Sequence, residues 1–405
     1  RRFDAVSRLA RAAALAALLW AGLAAPVAQA QIPVATVAQS PVAVIDALPP
    51  LSPADFPGQF GGASYPLAVE GARALLGVGP RAHVLDIGAE GIRRVGETPV
   101  LDGIVRAVAF DGDVAFVGLS DRGGLHVFDL SFPDTPRELT TMPTRGEVRN
   151  LVVTTELVYA AVFGGLRIFR RAEPTTLEEI ALELPYRGVV AVALGGETLY
   201  VLEPTAGLHV VSLAVPDAPV AGAVVPLDGI APDATTDMRI AGDVLYIAAG
   251  SQVHVVDIAD PAAPIVVAEL PVQGTASDLA IREDRLAVAG MEGGVTVFDL
   301  ADPRAPTVLC ELGTVQGTPS VAWTADGALL ATDWLAGLTR RELTANSVSS
   351  PDAVYRATTF IDGAAPLGDG TVAVTAAHAR LMTLAPSASG APGVLDIVDS
   401  VDMRP

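Results

Sequence analysis

The sequence predicts an all-β protein, a β-propeller of four-stranded antiparallel blades, with eight blades favoured and seven the runner-up. Three observations carry this expectation. One motif recurs at intervals of 41 to 45 residues over most of the chain, each unit holds four short Val-rich or alternating runs, and no segment shows the 3.6-residue period of a helix. With 405 residues and 51% hydrophobic composition, a sizeable core is within reach.

The N-terminal segment stands apart from the repeats. Arg1, Arg2, Arg8 and Arg11 flank or precede the apolar run Ala12 to Ala25, which is followed by Pro26 and the small-residue triplet Ala28-Gln29-Ala30. That order matches the charged, apolar and cleavage regions of a secretory signal peptide, and the run is shorter than the ~20 residues a membrane-spanning helix needs. Residues 1–30 therefore read as a signal peptide cleaved before Gln31, and residues 31–64 as a tether in which Pro41–Pro49 offers a blade-closing strand. Residues 65–405 read as the propeller, in which Gly393–Val401 competes for the same closing role.

The repeat is plainest in Gly-Leu-His-Val-Phe-Asp-Leu-Ser-Phe-Pro-Asp-Thr-Pro ending at Pro136, in Val-His-Val-Val-Asp-Ile-Ala-Asp-Pro-Ala-Ala-Pro ending at Pro264, and in Val-Thr-Val-Phe-Asp-Leu-Ala-Asp-Pro-Arg-Ala-Pro ending at Pro306. With the Asp as marker, equivalents fall at Asp86, Asp129, Arg170, Ser212, Asp257, Asp299, Glu342 and Thr383. Within a unit the strands are illustrated by Asp237–Ile240, Val244–Ala248, Val253–Asp257 and Ile265–Leu270. Turns such as Ala241-Gly242-Asp243 join the first strand to the second. The marker carboxylates Asp86, Asp129, Asp257 and Asp299 are expected to accept N–H groups of the turn that follows. The prolines then set φ and open an outer strand that, as an edge, tolerates them.

These motifs resemble the LVIVD repeat of secreted and surface-attached bacterial and archaeal β-propellers. The resemblance spans roughly residues 65 to 385 and is strongest in the second, fourth, fifth and sixth copies. It implies an architecture and an exported location and transfers no catalytic residue.

Composition narrows the function. The net charge is −20 and all 26 basic residues are Arg, so Lys-dependent covalent chemistry is excluded and nucleic acid is a poor partner. Cys310 is the only cysteine, which rules out an intramolecular disulfide. His83, His126, His209 and His254 share one repeat position. Third strands of neighbouring blades lie roughly 12 Å apart at ~4.8 Å per strand, which favours packing or hydrogen bonding over a shared metal. Asp228, Asp233 and Asp237 in the longest inter-blade loop, and Asp111 with Asp113 in a turn, suit either a weak Ca²⁺ site or a solvated acidic face. Otherwise no cofactor and no metal ligand is expected.

Recognition is expected at the face where innermost strands begin. There the copies diverge, and the mapping selects Arg106, Arg149, Asp237, Asp278 and Ser320 at strand starts. Loops between second and third strands add Asp121, Arg122, Glu203, Glu292, Asp333 and Trp334. The preferred reading is an exported, monomeric, non-enzymatic module that binds a protein or glycan in the periplasm, outside the cell or at its surface. No transmembrane span is expected in the mature chain. The rival is a lactonase-like hydrolase with a divalent cation in the channel.

Overall fold

The computed structural model describes residues 64–402 apart from short stretches of the connecting segments. The segments read from the sequence as a signal peptide and a tether with Pro41–Pro49, and Asp121, Arg122, Asp228, Asp233 and His378, lie outside the described residues. No helix among the described residues is long and apolar enough to cross a membrane.

Each blade is built from one contiguous stretch, running from the innermost strand outward. The seven innermost strands are Ser64–Glu70, Val105–Asp111, Val148–Val153, Ala191–Gly195, Met238–Ala241, Asp278–Arg282 and Val321–Trp323, which open blades 1 to 7 in turn. Blade 7 carries a small hairpin, Leu343–Thr344 with Ser347–Val348, before its outer strand Ala353–Tyr355.

Second strands are buried on both faces, and this is what makes a ring. In Val244–Ala249, the residues Val244, Tyr246 and Ala248 pack toward blade 6, whereas Leu245, Ile247 and Ala249 pack toward blade 4. Leu199 and Val201 likewise face blade 3, and Tyr200 and Leu202 face blade 5. Alternate side chains leave opposite faces of a strand, so a continuous apolar run marks a strand with a neighbour on each side. Close approach sets the residue size: a Cβ on Gly77 would fall 2.8 Å from Val105 Cγ1, and one on Gly118 would fall 2.5 Å from Val148 Cγ1. Glycine there lets the next blade's first Val seat against the sheet.

The described residues form seven such inter-blade cores, and the seventh corrects the expected blade count. Ala74, Leu76, Val78, Leu85 and Ile87 of blade 1 pack on Leu330 and Leu338 of blade 7, so the ring closes with seven blades rather than eight. The last repeat does form a four-stranded sheet, Ile361–Pro366, Val372–Ala376, Arg380–Pro386 and Leu395–Asp402. It does not separate blade 1 from blade 7. The period counts sheets, whereas the ring is counted by which apolar faces meet.

Outward, the conserved geometry of the repeat is visible in its turns. Asp129 Oδ1 accepts from Ser131 N at 2.9 Å, Asp257 Oδ1 from Ala259 N at 3.0 Å, and Asp299 Oδ1 from Ala301 N at 2.8 Å. Asp86 instead receives Arg93 across the strand pair at 3.0 Å. Asp257 is also gripped by Arg304 of the next blade, whose Nε and Nη2 donate at 2.6 and 3.0 Å. Outer strands leave β-branched side chains in solvent, among them Val220, Val224, Ile265, Val267 and Val308.

The shared histidines face glutamates, and His83, His126 and His254 are buried. His126 Nδ1 lies 2.6 Å from Glu138, His83 Nε2 3.5 Å from Glu97, and His254 Nδ1 3.4 Å from Glu269, each joining the third strand to the fourth. His209 turns to Glu203 of the second strand at 3.2 Å. Burial, helped by Arg94 and Arg81, lowers the His83 pKa to about 4.

Two expectations follow from these contacts. The unfolded chain protonates His83 near its ordinary value of 6.5 and the folded chain only near 4. Stability is therefore full above pH 6.5 and falls by roughly 3 kcal/mol as pH drops to about 4. Urea unfolding between pH 7 and 4.5 should show this slope, and His83→Gln should flatten it; an unchanged slope would assign it elsewhere. In thermal melts, Asp257→Ala should lower the midpoint more than Asp299→Ala, because it alone also releases Arg304 of blade 6's outer turn. Equal losses would reduce both residues to their turns.

Candidate site in the central channel

An innermost strand has one edge paired to its own blade and one facing the channel. Its N–H groups on that edge need acceptors. Side chains of the preceding blade supply them. Asn150 Oδ1 accepts from Val192 N at 3.2 Å, Asp237 Oδ2 from Leu279 N at 3.2 Å, and Asp278 Oδ2 from Val321 N at 3.0 Å. Donor and acceptor are 42 or 43 residues apart in each case, one repeat. These three staples tie blades 3 to 4, 5 to 6 and 6 to 7. Ser277 adds another, donating its hydroxyl to Pro319 O at 2.9 Å.

The same strand starts enclose a cavity of about 110 Å³. Arg106, Arg149, Asp237, Asp278 and Ser320, selected from the sequence, all line it, together with Glu147, Asn150 and Arg239. Glu147 receives Nε of Arg106 through one oxygen and Nε of Arg149 through the other, the second bond being 3.2 Å. On the opposite wall Asp237 Oδ1 accepts from Arg239 Nη1 at 2.8 Å and from Asn150 Nδ2 at 3.0 Å, a bond that crosses the channel from blade 3 to blade 5. Arg239 Nη2 is 3.8 Å from Asp278.

Burial, then the neighbouring Asp237, raises the Asp278 pKa well above the usual carboxylate range, with Arg239 opposing. Like charges in one dry site cannot both be ionised cheaply, which is why the Asp278 carboxyl is pushed toward its protonated form. Arg239 is held in its charged form by the same two carboxyls, which outweigh its burial.

Exposure sorts these groups. The Asp237 side chain is 5% exposed and Asp278 14%, whereas Arg239 is 42% and Arg106 36%. Arg239 and Arg106 are thus the most exposed of the charged lining residues, while Arg149 and Glu147 are nearly as enclosed as Asp278. At the mouth, Phe163 is 57% exposed and lies under Arg149, whose guanidinium carbon is 5.2 Å from the ring centre.

Other sequence-selected residues fall elsewhere. Asp333 ends the second strand of blade 7, paired with Gly337, and Trp334 N donates to Gly317 O at 3.3 Å. Both sit on the mouth side without lining the cavity. Glu203 is occupied with His209, and Glu292 is exposed on blade 6. Among the described residues no group of three or more His, Cys, Asp or Glu is placed to hold a metal ion. Sequence reasoning missed Glu147, Asn150, Arg239 and Phe163 as site residues. The signals were the run Arg145-Gly-Glu-Val-Arg-Asn150 and the rarity of asparagine, which the chain uses at positions 150 and 346 alone.

A family model of the LVIVD repeat matches residues 233–270, the stretch that holds the first to fourth strands of blade 5. No curated protein matches the sequence. Among solved structures, the computationally designed Ika8 protein is similar at a TM-score of 0.51 and 14% identity, over 70% of this chain and 97% of that one. Sqt1 from Chaetomium thermophilum is similar at 0.51 and 16%, over 81% and 95%. A chain of the Mitotic Checkpoint Complex is similar at 0.54 and 12%, over 71% and 96%. At such identities the likeness concerns the fold alone. Seven inter-blade cores make the described residues a seven-bladed β-propeller, whose fifth blade matches the LVIVD repeat.

Proposed function

We propose that the protein is an exported, non-enzymatic interaction module that recognises a protein or glycan with the channel-mouth face, in the periplasm or at the cell surface. The observation that carries this reading is the asymmetry of that face. Blade walls repeat Val, Leu and Ala, while the strand starts differ from blade to blade: Arg106 in blade 2, Glu147 and Arg149 in blade 3, Asp237 and Arg239 in blade 5, Asp278 in blade 6. Loops and strand ends on a rigid scaffold can vary without cost to the core, so recognition concentrates there. The exposed Phe163 beside Arg149, and Trp334 with Asp333 on the same side, supply the aromatic and Arg anchors typical of interfaces.

Asp237 and Asp278 enter the proposal as supports of the site, since backbone amides of the next blade occupy them. In a partner screen with the exported protein, Arg149→Ala and Trp334→Ala should each weaken capture about tenfold or more, the scale of an interface anchor. Asp237→Ala should act mainly by lowering thermal stability. Unchanged affinity in both anchor variants, or a metal-dependent hydrolysis abolished by Asp237→Ala, would overturn the reading. Export is tested separately: the N-terminus of secreted material should be Gln31, and retention of Leu15–Trp20 would indicate an anchor instead.

A further inference from the structure

At the end of the blades opposite the channel mouth, a groove of about 440 Å³ lies between blades 3 and 4. Its rim is the first turn of each blade, with Glu156 and Glu197, and the outer turn of blade 4, with Pro216. Leu194, Leu213 and Tyr159 supply its apolar wall. That volume falls within the roughly 300 to 1,000 Å³ of ordinary ligand sites.

One side chain in the groove is left unused by the fold. Tyr159 is 3% exposed, its ring packs among Leu199, Val201 and Val211, and its hydroxyl end is left at the groove with no hydrogen-bond partner among the described residues. Tyr246 holds the same position in the second strand of blade 5, and its hydroxyl donates to Pro303 O of the next blade at 2.7 Å. Pro216 is the counterpart of Pro303 in blade 4, but Tyr159 makes no such bond to it, and the groove lies there instead. Tyr200 in blade 4 likewise makes no such bond, but it does not line this groove. Burial, then the charge of Glu156, raises the Tyr159 pKa above its ordinary value of 10.0, so the hydroxyl keeps its proton at neutral pH.

The chemistry of the groove has one sign. Glu156 and Glu197 are exposed and make no ion pair among the described residues, and no basic residue lines the groove. Two carboxylates and an unpartnered hydroxyl beside an apolar wall are acceptors for a cation carried on an aliphatic stem. We propose that the groove takes an arginine side chain presented by another protein, its stem on Leu194 and Leu213 and its guanidinium meeting Tyr159, Glu156 and Glu197. Arginine suits the site because its planar fork donates to a hydroxyl and to carboxylates together. A net charge of −20 also draws basic partners toward the chain. The inference stands apart from the channel-mouth reading, since it concerns the other end of the blades.

The test titrates the whole chain at constant ionic strength with N-acetylargininamide, N-acetylcitrullinamide, N-acetyllysinamide and guanidinium, binding being read by ligand-observed NMR. N-acetylargininamide should bind saturably and at least about tenfold tighter than the citrulline compound, which has its shape without its charge. Tyr159→Phe should weaken it about tenfold, and Glu156→Gln and Glu197→Gln about threefold each, while Glu283→Gln in the corresponding turn of blade 6 should not. In thermal melts Tyr246→Phe should lower the midpoint and Tyr159→Phe should not; equal losses would return the Tyr159 hydroxyl to the fold and overturn the proposal. Equal binding of the arginine and citrulline compounds, or indifference to all three groove variants, would also overturn it. Guanidinium or the lysine compound binding as tightly would overturn the assignment to an arginine side chain. Sedimentation showing copies of the chain that associate until N-acetylargininamide is added would overturn the assignment to another protein.

Discussion

Everything in the molecule depends on blades that are apolar on both sides. A lone four-stranded sheet with two greasy faces has no stable state in water, and two stacked sheets still expose two faces. Only closure covers them all. The second strands record this most directly, with Val244, Tyr246 and Ala248 committed to one neighbour and Leu245, Ile247 and Ala249 to the other. The contact of Ala74 and Leu76 with Leu330 and Leu338 is therefore equivalent to any other interface in the ring, although it joins residues some 250 positions apart in the chain.

Closure also explains why the channel face and the scaffold cannot be separated cleanly. The channel-facing edges need acceptors, and Asn150, Asp237 and Asp278 provide them by reaching from one blade to the next. The same carboxyls position Arg239, and through Asn150 they connect walls on opposite sides of the channel. A residue at a strand start thus contributes to ring integrity and to the electrostatics of the cavity together.

The fold was legible because its repeat is written eight times. Val-His-Val-Val-Asp fixes a third strand, a buried histidine and a turn in five residues, and the glycine-containing turns before it set the hairpins. What a local motif cannot convey is which distant faces meet, and so the degenerate copy around Thr383, which does make a sheet, counted toward an eight-bladed expectation that the blade 1 to blade 7 core excludes. The site was legible in part for the same reason. Repeat alignment located Arg106, Arg149, Asp237 and Asp278 on one cavity, because position in the repeat is position around the axis. It missed Arg239 and Asn150, whose roles depend on side-chain reach across the channel, and it grouped Trp334 with them although that residue stands outside the cavity wall.

The outer strands carry a consequence of their own. Val220, Val224, Ile265, Val267 and Val308 stand in solvent on exposed sheet edges, where proteins commonly station lysine to discourage pairing with another copy. This chain has no lysine. Mutual repulsion between strongly acidic particles takes over that duty, so colloidal behaviour is governed by ionisation rather than by sequence at the edge itself. Toward the isoelectric point of about 4.5, the repulsion fades while the β-branched edges persist, so edge contacts between copies become less costly.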